Sequence, residues 1–208
     1  MQNLSSDYPY NSAEPSCSNE LLWLPLREIV LSHLTRESRV IELGCGSGAT
    51  AAMLTELGFT VTGVDPSASG IRVATEAYPN IRFEERSAYE DLEIEFGEFD
   101  AVVSLEVVEH CHWPRLFAKC VFALLRPGGV AIISTPFHGY WKNLALALTG
   151  KFDAHWSPLW DGGHIKFWSE DTLRTLLDEA GLVDVGFRRV GRLPPIAKSM
   201  IAIARKPK

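Results

Sequence analysis

The sequence predicts an α/β protein built on a doubly wound, mostly parallel sheet. Two observations carry this. Short apolar runs alternate with helix-like stretches along most of the chain, the pattern of strand–helix units stacked in layers. The run Val40-Ile-Glu-Leu43 also stops abruptly in Gly44-Cys-Gly-Ser-Gly48, and a helix pattern from Ala49 to Leu57 follows at once. A buried parallel strand reads this way when it passes through a tight turn into a helix. Free backbone N–H groups and the helix dipole then face a ligand, which makes a nucleotide site.

Composition bounds the function. The chain has 208 residues, 46% of them hydrophobic and 22% charged, enough for one domain with a substantial core. The net charge of −6 argues against broad phosphate-backbone binding, so nucleic acid is not the expected partner. Cys17, Cys45, Cys111 and Cys120 form no CxxC pair, and Met1 to Asn19 contain no secretory h-region. A reducing, cytoplasmic setting is expected. No apolar run reaches the length of a membrane span.

Taken in order, residues 1–18 are polar, carry Pro9 and Pro15, and read as a mobile arm; Tyr8 and Tyr10 offer aromatic faces that would suit a cover over a site. Asn19 reads as the N-cap of a helix through Leu34, with a broad apolar face from Leu21 to Val30. Gly44, Gly46 and Gly48 are costly in a regular element, so they serve a loop needing positive φ or close approach. The second strand, Thr60 to Val64, ends in Asp65-Pro66, and Asp65 lies 21 residues after Gly44. An acid at that distance is placed to accept hydrogen bonds from ribose hydroxyls; the competing reading is a strand-ending Asp that starts a turn.

Ser67 to Tyr78 reads as a helix and Ile81 to Phe83 as a third strand, followed by the loop Ser87-Ala88-Tyr89. Phe99 to Ser104 is a fourth buried strand, and Leu105-Glu106-Val-Val-Glu109-His110 leads from its end. A helix from Trp113 breaks at Arg126-Pro-Gly-Gly129 before a fifth strand, Val130 to Ser134. Residues 136–168 depart from the alternation and crowd in aromatic side chains, as lids and binding inserts do. Ser169 caps a helix ended by Gly181, and two strands, Leu182 to Val190 and Lys198 to Arg205, close the chain.

Glu42-Leu-Gly44-Cys45-Gly46-Ser-Gly48 resembles motif I of the class I S-adenosylmethionine (SAM) methyltransferases, E/D-x-G-x-G-x-G. The strands beginning at Phe99-Asp100 and after Arg126-Pro-Gly-Gly resemble later motifs of that family in the right order. The resemblance implies a Rossmann-like sheet of seven strands, the last antiparallel, and SAM as cofactor. It places Glu42, Gly44, Cys45, Gly46, Gly48, Asp65, Pro66, Ser87, Ala88, Tyr89, Leu105 and Glu106 around the cofactor. The family's usual adenine-facing Asp is shifted or missing near Ser87. The chemistry suits the residues: SAM carries a sulfonium, an ammonium and a ribose but no phosphate, so carboxylates serve it better than a phosphate cradle.

Glu106-x-x-Glu109-His110 resembles the ExxEH pattern of two methyltransferase subfamilies, the ubiquinone-pathway O-methyltransferases and the small-RNA 3′-terminal 2′-O-methyltransferases. Both add a histidine after the fifth strand, matched here by His164, with His138 and His155 as weaker candidates. The resemblance implies a divalent cation, Mg²⁺, Mn²⁺ or Zn²⁺, on Glu106, Glu109, His110 and His164; the competing reading gives these residues a pocket-shaping or helix-capping role. If Glu106 opens a helical turn, Glu109 shares its face. The expected function is methyl transfer from SAM to a small-molecule acceptor, an aromatic hydroxyl first, with N-, C- and carboxyl-methylation beside it. His164 and His110 are the candidate bases, and the aromatic insert forms the acceptor side. The rivals are an NAD(P)-dependent oxidoreductase, since Gly44-x-Gly46-x-x-Ala49 also satisfies the dinucleotide fingerprint, and a non-catalytic SAM-binding protein.

Overall fold

The computed structural model describes residues 10–15, 17–156, 158–160 and 162–208. Most of the arm expected over residues 1–18 lies outside the described residues. The chain runs α1 (Cys17–His33), β1 (Arg39–Leu43), α2 (Ala49–Glu56), β2 (Thr60–Asp65), α3 (Ala68–Ala77), β3 (Arg82–Glu85), α4 (Leu92–Phe96), β4 (Phe99–Leu105), α5 (Pro114–Leu124) and β5 (Leu125–Pro136). It continues through α6 (Tyr140–Leu148), α7 (Phe152–Trp156), α8 (Glu170–Glu179), β6 (Val183–Val190) and β7 (Ser199–Arg205). The seven strands form one sheet in the order β3-β2-β1-β4-β5-β7-β6. All neighbours from β3 to β5 are parallel, and β7 is antiparallel to both β5 and β6. The doubly wound, seven-stranded reading is therefore what the chain adopts.

Alternation along each central strand feeds two cores. Ile41, Leu43 and Val102 join Phe117, Val121, Leu173 and Leu177 beneath α5 and α8. Val40, Val61 and Val103 join Leu22, Leu26, Ala51 and Leu54 beneath α1 and α2. Side chains of this size, fully buried, contribute about 1.5–3 kcal/mol each. That is why a strand such as Val40 to Leu43, apolar on both faces apart from Glu42, belongs in the centre of the sheet.

Several boundaries differ from expectation. Asn19 is not the first cap, because α1 already begins at Cys17. β5 begins at Leu125 rather than Val130: Leu125 already pairs with Phe99, and the ladder resumes at Ala101 and Val130 after an irregularity. The short helices α4 and α7, five residues each, have too few periodic positions to be read from sequence. The cap of α8 is as expected: Ser169 accepts from the Thr172 N–H while the Thr172 hydroxyl accepts from the Ser169 N–H, a reciprocal capping box. Among the described residues, no helix is long and apolar enough to cross a membrane.

Candidate cofactor and metal-binding site

The site lies at the carboxyl ends of β1, β2 and β4, where the winding reverses between β1 and β4. Gly44, Gly46 and Gly48 all have positive φ, at 78°, 50° and 81°. Each also seats a neighbour. A Cβ on Gly44 would lie 2.3 Å from Val107, one on Gly46 2.6 Å from the Tyr10 hydroxyl, and one on Gly48 2.7 Å from Phe83. Side chains are thus excluded by backbone geometry and by contact together.

Asp65 ties this loop to β2. Its Oδ2 accepts from the Gly46 N–H at 2.8 Å and its Oδ1 from the Ser67 N–H at 2.8 Å. Glu42 shares the face of Val40 and is 2% exposed. Its Oε2 is buried without a hydrogen-bond partner among the described residues. Burial first, then the Asp65 carboxylate, raise the Glu42 carboxyl well above its ordinary range, against smaller opposing effects of the Ala51 N–H and the Thr50 hydroxyl. Pro66 is exposed beside Asp65, Leu105 is buried at the end of β4, and Ser87, Ala88 and Tyr89 are partly buried. Tyr89 turns its ring edge to Trp113, with centroids 5.5 Å apart.

Glu106 departs from the helical turn expected of it. It has φ 55°, a left-handed conformation that is uncommon outside glycine and costs of order 1–3 kcal/mol. Its N–H donates to the Ser134 hydroxyl, whose own O–H donates back to Oε1 at 2.9 Å. A 3₁₀ turn, Val108–His110, follows. Glu106 and Glu109 therefore do not stack on one helix face. Burial pushes the Glu106 carboxyl up to about 7, with Ser134 and Ser199 acting the other way.

The structure brings Glu109, His110 and His164 together, with one potential ligand atom from each lying within 4.8 Å of the others. Glu106 is outside this group. Glu109 is 1% exposed, and neither carboxylate oxygen has a hydrogen-bond partner among the described residues. Burial, then the Glu106 charge, raise its carboxyl well above the usual range. His110 Nδ1 lies 2.8 Å from the Gly162 carbonyl. A carbonyl only accepts, so Nδ1 donates to it and Nε2 is the ring nitrogen left to face a ligand. His164 packs edge-on to His110 at 4.8 Å between centroids, and burial and then His110 push it down to about 4. The backbone holds the group in place, since the Ile165 and Lys166 N–H groups both donate to the Glu109 carbonyl. A buried acid beside two imidazoles is a donor set for a divalent cation.

His138 and His155 form a separate pair, 5.3 Å apart, beside Lys142. Lys142 is the one charged residue of α6, and it is buried, donating to the Phe137 carbonyl at 2.7 Å. Two features escaped sequence reasoning. Ser134 and Ser199, which hold Glu106, lie on strands far along the chain and carry no local signal. Val107, which needs Gly44 opposite it, reads as an ordinary apolar residue.

Comparison with known proteins identifies the family. The family model described as "Methyltransferase domain" matches residues 20–185. The ubiquinone biosynthesis O-methyltransferase of Methylobacterium nodulans is 32% identical over 170 residues, 76% of this chain and 68% of that protein. The protein of that name from Dinoroseobacter shibae is 32% identical over 71% of this chain, which spans only 60% of the relative's length. The crystal structure of a SAM-dependent methyltransferase from Methanosarcina mazei superposes with a TM-score of 0.66 over 86% of this chain and 97% of its own, at 23% identity, a likeness of fold. None of these supports the oxidoreductase reading. With its matched span running from α1 into β6, the chain belongs to the methyltransferase domain family.

Proposed function

We propose that the protein transfers a methyl group from SAM to a small-molecule acceptor, with an aromatic hydroxyl as the favoured nucleophile. The observation that carries this is Glu42: a buried carboxylate with an unpartnered oxygen, on the strand that enters the positive-φ loop and close enough to Asp65 to feel its charge. Two carboxylates at one glycine loop repel a pyrophosphate and suit a cationic nucleoside. Asp65, oriented by the Gly46 and Ser67 N–H groups at the end of β2, is the carboxylate placed to accept from ribose hydroxyls. Ser87 to Tyr89 would line the adenine side, and Leu105 and Glu106 the methionine side.

SAM, when bound, supplies a sulfonium whose methyl group is open to in-line attack. The rest is alignment and proton removal by this chain. His110, with Nδ1 committed to Gly162, and His164, held neutral by burial, are the groups able to accept the acceptor's hydroxyl proton. Residues 136–168 form the acceptor side, where Trp160 packs against both rings at 5.8 and 5.4 Å. We further propose that Glu109, His110 and His164 hold a divalent cation, which would lower the acceptor hydroxyl pKa. With Glu106 turned to Ser134, one carboxylate and two imidazoles favour Zn²⁺ or Mn²⁺ over Mg²⁺. The ubiquinone-pathway relatives support a phenolic acceptor. The test is production of S-adenosylhomocysteine with a panel of catechols and phenols; binding of SAM without turnover on any acceptor class would leave a SAM-binding protein instead.

A further inference from the structure

We infer that Tyr10 is a cofactor-retaining strap, held across the two elements that bind SAM. The inference rests on the SAM reading above. Tyr10 belongs to no helix or strand, yet it touches the site at several points. Its ring lies on Gly46: a Cβ there would meet the hydroxyl at 2.6 Å and ring carbons at 2.8 Å. The other side of the ring lies on Gly70, where a Cβ would meet Tyr10 Cδ2 at 3.0 Å and the Gly46 carbonyl oxygen at 3.0 Å.

Gly70 sits within the first turn of α3, where glycine costs up to about 1 kcal/mol relative to alanine. The close approach of ring and loop accounts for that cost. The Tyr10 N–H donates to the Ser69 hydroxyl at 3.2 Å. Ser69 Oγ lies 3.0 Å from Ser67 Oγ, and the Ser67 N–H donates to Asp65 Oδ1. Tyr10 is thus connected by one run of hydrogen bonds to the carboxylate assigned to ribose, and by its ring to the Gly46 peptide of the glycine loop. A phenol in that position buries the loop backbone from water and must move aside for a ligand to pass. Its effect belongs mainly on the dissociation rate.

Stopped-flow measurement of S-adenosylhomocysteine release from the full chain tests this. Tyr10→Ala should release it roughly tenfold faster, equivalent to about 1.4 kcal/mol, with the thermal midpoint of the free protein unchanged. Tyr10→Phe, which keeps the ring, should stay within about threefold of wild type. Tyr10→Leu serves in place of Tyr10→Ala if the latter fails to fold. If wild type binds the ligand and Tyr10→Ala releases it at the same rate, or holds it longer, the strap is overturned while the SAM reading stands. If wild type binds no S-adenosylhomocysteine, the SAM reading fails and the strap fails with it.

Discussion

Oε1 of Glu109 and Nε2 of His164 lie 3.9 Å apart, yet the two do not form an ion pair. Burial raises the acid well above the usual carboxylate range and lowers the imidazole to about 4, so both shifts oppose the charged pair. A pair that avoids charge in isolation is the arrangement a divalent cation would reverse, since the cation stabilises the carboxylate and takes up the imidazole lone pair.

Treatment with a chelator should therefore reduce methyl transfer, and Mn²⁺ or Zn²⁺ should restore it. Glu109→Gln keeps the shape and removes the charge; it should raise the metal concentration needed for half activity by at least about tenfold. His164→Ala should do the same if the residue is a ligand. If it acts as the base, turnover alone should fall, with SAM affinity retained. Full activity of the metal-free protein would return Glu109 to a structural role.

Glu42→Gln separates stability from function. An acid whose folded pKa is raised favours folding fully only below its unfolded pKa, and that contribution is lost as pH rises. Above its unfolded pKa the buried acid costs stability, a cost that Gln does not carry. The ligand-free variant should melt a few degrees higher, while its stabilisation by SAM falls. A lower melting point with undiminished stabilisation by SAM would make Glu42 a core residue with no part in binding.

His138 should govern part of the acid sensitivity. Burial first, then Lys142 and His155, push it from 6.5 down to about 4. Its contribution to stability is complete above about pH 6.5 and is lost as pH falls toward 4. The full window corresponds to about 3 kcal/mol at most. Urea midpoints at pH 7 and pH 5 should differ less for His138→Gln than for wild type; an identical difference would assign the acid response elsewhere.

Much of this was legible in the sequence for a physical reason. Val40 to Leu43 ending in alternate glycines admits few structures, and Asp65 follows at the distance of one helix and one strand. Glu109, His110 and His164 were legible as residue types. Their meeting depends on the Gly162 carbonyl and the Glu109 carbonyl, which hold the insert against the turn after β4. The conformation of Glu106 was not legible, because its partners Ser134 and Ser199 arrive from β5 and β7. The burial of Lys142 on α6 was not legible, because it depends on the Phe137 carbonyl beneath it.

Residues 136–168 should change on ligand binding. Tyr140, Trp141, Leu159 and Trp160 are exposed within this aromatic segment. S-adenosylhomocysteine plus a phenolic acceptor should slow proteolysis there and alter tryptophan fluorescence. Cleavage at the same rate with and without ligands would mark the insert as fixed.

The central claim is that the glycine loop and Asp65 hold SAM, and calorimetric titration of SAM into wild type and Asp65→Ala tests it most directly. Hydrogen bonds to a charged acceptor are worth about 1.5–3 kcal/mol, so the variant should bind at least about tenfold more weakly while remaining folded. NAD should give no heat with either protein. Equal affinity of the two proteins for SAM, or binding of NAD in its place, would contradict the account.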